Sequence, residues 1–135
     1  MSARSKSRKR ALDILYEADL RSTSPLEILA ARSVQNDPPV NEYTSGLVRD
    51  VTEHLGRIDG FIGEHAEGWT LERMPAVDRN ILRIAVLEMM WRDDVPDRVA
   101  IDEAVELAKS VSTDRSPAFV NGLLASLLHV KPAAD

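Results

Sequence analysis

The chain has 135 residues, enough for one domain or two small bundles, and no cysteine, which removes disulfides, thiolate nucleophiles and cysteine-ligated zinc together. It is 44% hydrophobic and 29% charged, the balance of a folded chain, and only 4% aromatic, so aliphatic side chains must fill its core. The net charge of −5 conceals an asymmetry: Arg4, Lys6, Arg8, Lys9 and Arg10 put +5 into the first ten residues and leave −10 for the rest, a basic arm on an acidic body that points to an anionic partner.

Taken in chain order, the first predicted helix runs from about Lys6 to Arg21, with Leu12, Leu15, Tyr16 and Leu20 at helical spacing. Ser24-Pro25-Leu26-Glu27 reads as an N-cap, a proline at the first helical position and a capping-box glutamate, opening a helix that carries the apolar Leu26, Leu29, Ala30 and Val34. Asn41 is the expected cap of a third helix bearing Tyr43, Leu47, Val48, Val51 and Leu55, which Gly56 is expected to break or bend before a shorter helix with Ile58, Phe61 and Ile62. Thr70 reads as the cap of a short turn before Pro75. Val77–Trp91 is apolar on nearly every side, the pattern of a central bundle helix too short to span a membrane. Val99–Val111 is two-faced, with Ala100, Ile101, Ala104 and Leu107 opposite Asp102, Glu103 and Glu106. Ser116-Pro117 repeats the cap-then-proline start, and Phe119, Val120, Leu123, Leu124 and Leu127 stripe the last helix. The prediction is all-α, about seven helices, with no strand, no membrane segment, no signal peptide and a cytoplasmic location.

Catalysis finds no foothold. His54, His65 and His129 stand far apart and lack a partner at ligand spacing, and phosphate loops, nucleophile elbows and calcium loops are absent. Asp102, Glu103 and Glu106 fall on the polar face of an amphipathic helix, and Glu88 reads as a buried acid needing a partner. No enzyme, metal or cofactor is expected.

Two features suggest RNA. The basic arm is either a frayed, solvated terminus or a phosphate-binding strip; its cations oppose the helix macrodipole and fan out at 100° intervals, which suits a phosphate backbone. Phe119 lies about 90° from the centre of the last stripe, so it is either a core ring closing the bundle end or a stacking platform for a base. Arg115 and the backbone N–H groups after Ser116 would add a setting friendly to phosphate.

The runs Leu82-Arg83-Ile84-Ala85, Asp94-Val95-Pro96, Val99-Ala100-Ile101-Asp102-Glu103-Ala104 and Glu106-Leu107-Ala108-Lys109-Ser110 resemble the NusB family, as does Phe119-Val120-Asn121-Gly122-Leu123-Leu124. The basic arm followed by Ala11, Leu12, Leu15 and Tyr16 fits as well. The resemblance is close from Val77 to Leu124 and loose between Ser22 and Trp69. It implies two small packed helical bundles: residues 1–10 as the RNA-binding arm, about 11–69 as an N-terminal sub-bundle and about 70–135 as a C-terminal one. It further implies transcription antitermination, by binding single-stranded boxA RNA of ribosomal RNA leader transcripts together with NusE, a small-subunit ribosomal protein, within the RNA polymerase antitermination complex. Arg4, Lys6, Arg8, Lys9, Arg10 and Phe119 correspond to RNA contacts of the family, and Asp78, with Tyr16 nearby, to its NusE interface. The sequence departs from some relatives at Arg115, where they show an acid, and at Ala118, where they show a lysine; Ser5 and Ser7 also interrupt the arm. Family members occur as monomers and as homodimers, and the residues favour neither. NusB-like domains fused to RNA cytosine methyltransferases need a Rossmann-like domain that these residues lack, and a protein-binding helical adaptor stands as the other alternative.

Overall fold

The computed structural model describes residues 2–131. They form α1 (Ala3–Arg21), α2 (Pro25–Gln35), α3 (Glu42–Glu53), α4 (Leu55–His65), a 3₁₀ turn (Leu71–Arg73), α5 (Ala76–Trp91), α6 (Asp97–Val111) and α7 (Ser116–Val130), with no strand among the described residues.

Local chemistry sets most of the boundaries. Ser24 caps α2 by accepting from the Leu26 N–H, with Pro25 at the first helical position. Asn41 Oδ1 accepts from the Thr44 N–H at 2.9 Å and opens α3. Ser22 and Asn36 close α1 and α2 in the left-handed region, at φ 50° and 51°. Two expectations shift. The break after α3 falls at His54 rather than Gly56, where the backbone leaves helical geometry and the imidazole stacks on Trp91 at 4.4 Å. Ser116 is the first residue of α7 rather than its cap, because its hydroxyl donates to Asp78 Oδ2 instead of receiving a first-turn N–H of α7.

The helices divide into two compact units, one ending at Glu53 and the other beginning at His54. In the first, α1, α2 and α3 pack pairwise and bury Leu12, Ile14 and Leu15 of α1, Ile28 and Leu29 of α2, and Leu47, Val48 and Val51 of α3. Each such aliphatic side chain contributes roughly 1.5–3 kcal/mol when removed from water. In the second, α4, α6 and α7 all pack on α5. Eleven of the sixteen α5 residues are buried, including Glu88, as the all-round apolar pattern predicted. The sequence reading divided the chain near Trp69; the packing divides it sixteen residues earlier, because Ile58, Phe61 and Ile62 bury α4 against α5 and α7. Leu20, Leu26 and Val34, expected on apolar faces, are exposed instead.

Candidate nucleic-acid interface

The basic arm is the first two turns of α1, a continuous helix from Ala3. Five cations in such a position repel one another and the positive end of the helix dipole, so something else must hold it. Ser2 caps the helix by accepting from the Ser5 N–H at 3.0 Å. Ser7, read in the sequence as an interruption of the charge, is buried and ties the helix down: its hydroxyl donates to the Ala3 carbonyl at 3.0 Å and accepts from Asn41 Nδ2 at 2.7 Å. Its carbonyl accepts from the buried Thr44 hydroxyl at 3.1 Å. Between these bonds Tyr43 offers its ring to two guanidiniums, Arg4 at 4.5 Å and Arg8 at 5.7 Å from the centroid. Such contacts contribute about 0.5–2 kcal/mol each, more as they are desolvated. Arg8 is only 4% exposed, so it is a fixed charge beneath the surface, while Arg4 and Lys6 are exposed.

Lys9 pairs with Asp13 at 2.8 Å along the helix. Arg10 donates from Nη2 to the Pro38 carbonyl at 3.2 Å, while its buried Nε has no hydrogen-bond partner. Lys6, Lys9 and Arg10 border a cleft of about 400 Å³ closed on its other side by Pro38, Pro39 and Asn41. The first unit therefore presents its cations on one ordered element. Tyr16 lies partly buried two turns along the same helix. Beside it Glu17 binds Arg21 at 2.8 Å and also Arg32, and the Arg21 bond first, then Arg32, holds its carboxyl below the ordinary value of 4.5 against the opposing effect of burial.

Phe119 and Arg115 belong to the second unit. Phe119 is partly buried, neither a sealed core ring nor a bare one, and packs on the exposed Trp69 at 5.3 Å between centroids. Trp69 escaped the sequence reading because no periodicity marks a residue in an irregular segment. Arg115 is exposed immediately before α7. The anion setting expected after Ser116 is largely used up: the Ser116 N–H donates to the Thr113 carbonyl, that of Phe119 to the Arg115 carbonyl, and Pro117 has none.

Asp78 is 2% exposed at the start of α5. Its two oxygens accept from the Ser112 and Ser116 hydroxyls, so its carboxylate is engaged within the second unit and pins the α6–α7 turn. Among the described residues no three His, Cys, Asp or Glu side chains gather as a metal site, and no helix is long and apolar enough to cross a membrane.

Comparison with known proteins agrees with this organisation. The NusB family model matches residues 5–129. The transcription antitermination protein NusB of Frankia casuarinae is 69% identical over 115 residues, which are 85% of each chain. Among solved structures, NusB of T. maritima superposes with a TM-score of 0.84 at 31% identity, covering 99% of this chain and 94% of that one. A crystal structure of antitermination factors NusB and NusE in complex with double-stranded RNA matches with a TM-score of 0.82 at 27% identity, over 94% of this chain and 96% of that one. With helices, matched span and identity in agreement, this chain belongs to the NusB family, as a non-enzymatic transcription antitermination factor.

Proposed function

We propose that this protein binds the boxA element of ribosomal RNA leader transcripts as a single strand, in the cytoplasm and together with NusE, and so helps RNA polymerase pass termination signals. The observation that carries the reading is the order of α1: five cations are kept on a helix whose dipole they oppose, and buried Ser7 holds them there. Arg4, Lys6, Lys9 and Arg10 neutralise phosphates, Arg8 adds fixed positive potential beneath them, and Arg115 supplies a further cation in the second unit. Phe119 stacks on a base. Tyr16 contributes to the NusE surface directly, and Asp78 does so by shaping the α6–α7 turn, since its carboxylate is engaged inside the unit.

The test is the affinity for boxA RNA and a scrambled control, with and without NusE, over a range of salt. Contact with up to five phosphates of a single strand gives a log–log slope of about −3.5. Selective binding that NusE tightens, and that falls away when Arg4, Lys6, Arg8, Lys9 and Arg10 become alanine, is the expected result. Equal, weak binding to both RNAs with no gain from NusE overturns the reading in favour of a protein-binding adaptor.

A further inference from the structure

Phe119, against which Trp69 packs, borders a cleft whose chemistry differs from that of the basic helix. Trp69 is 46% exposed between α4 and the 3₁₀ turn, and its ring is tilted by 36° to that of Phe119. From Phe119 the surface falls into a cleft of about 310 Å³ bordered by His65, Glu67, Ala118, Gly122 and Ser126. A Cβ at Gly122 would meet nothing within 4 Å, so the backbone of α7 is open to close approach there. His65 Nδ1 and Ser126 Oγ share a 2.7 Å hydrogen bond across the cleft wall.

These groups suit a nucleobase and not a phosphate. Glu67 repels an anion, whereas its carboxylate is a strong acceptor for an exocyclic amine. The two rings offer a π surface of the kind unpaired bases occupy. We infer that Trp69 and Phe119 form a two-ring platform for one unpaired base of the RNA, whose edge enters the cleft toward Glu67 and Ser126. The inference rests on the RNA-binding reading above. It adds Trp69 as a stacking residue and Glu67 as the group that favours a base bearing an amine over uracil. A duplex gains nothing from such a site, because its bases are already stacked.

The experiment compares the parent chain with W69A, W69F, W69L and G122A for binding to single-stranded boxA RNA in the presence of NusE, with thermal melts of each variant. Loss of one stacked base predicts affinity weaker by about 5- to 150-fold for W69A, with an unchanged salt slope because no phosphate contact is lost. W69F recovers most of the affinity and W69L does not. G122A binds more weakly while melting no lower than the parent, since alanine suits a helix interior better than glycine. Full affinity in W69A, equal affinity of W69L and W69F, or full affinity in G122A overturns the platform while leaving the antitermination reading intact. A parent chain that binds neither boxA nor the scrambled RNA removes both.

Discussion

Asp78 is a buried acid at the start of α5. At 2% exposure its two oxygens accept from the Ser112 and Ser116 hydroxyls. Asp78→Ala removes the charged acceptor of both hydroxyls and leaves them only each other and Thr113, and hydrogen bonds to a charged group contribute about 1.5–3 kcal/mol each before the protein relaxes. The expected outcome is a loss of about 2 kcal/mol or more in urea unfolding, with NusE affinity falling in parallel. Weaker NusE binding in a fully stable Asp78→Ala protein would instead mark the carboxylate as a direct contact. Glu17 behaves differently because it is partly solvated. Arg21, and after it Arg32, lowers its proton affinity in the folded state. The unfolded chain therefore takes up that proton first as the pH falls, so the stability this group supplies is complete above 4.5 and fades below it. Glu17→Gln should flatten that acid limb and cost no more than about 1 kcal/mol at neutral pH, as two pH-dependent melting series would reveal.

At the scale of the helix, α1 combines two requirements that conflict. Its first turns must carry cations for an anionic partner, and cations there weaken a helix. Ser7 resolves the conflict by fastening the backbone to the start of α3 through Asn41 and Thr44. Ser7→Ala removes the Asn41 bond, which costs about 1 kcal/mol locally and is partly offset by the helix preference of alanine. Global stability should change little, while amide exchange at residues 5–9 accelerates and RNA affinity drops; unchanged exchange would mean that Tyr43 and the Thr44 bond to the residue 7 carbonyl hold the helix without the hydroxyl. The sequence made the helix, its charge and its apolar face legible, because these follow from spacing within a few residues. It did not disclose Ser7, whose partner Asn41 lies 34 residues away, nor the pairing of Trp69 with Phe119 across 50 residues of chain. Cap-and-proline signals placed α2 well, yet the same signal misassigned Ser116, whose hydroxyl is claimed by Asp78, 38 residues before it.

For the molecule as a whole, net charge misleads. Nearly all of the surplus positive charge sits at one end of the sequence, and the remaining residues are strongly acidic. Non-specific attraction to a polyanion is therefore confined to a short stretch of chain, which lowers background binding. The family resemblance, closest from Val77 to Leu124, is matched by the family model over residues 5–129, and its strongest motifs sit on α5, α6 and α7, the helices that build the second unit. The boundary between units was not legible, since nothing in composition separates α3 from α4.

That boundary has a practical outcome. A single residue, His54, stands between α3 and α4, and its ring is stacked on Trp91. Proteases need an accessible segment outside a helix, and a connection such as residues 36–41 offers one where the joint does not. Limited digestion with a non-specific protease, read by mass spectrometry, should give no fragment ending between Glu53 and Leu55. The two halves would thus resist being prepared separately by cleavage, and each nick would damage a unit from within before it parted the pair.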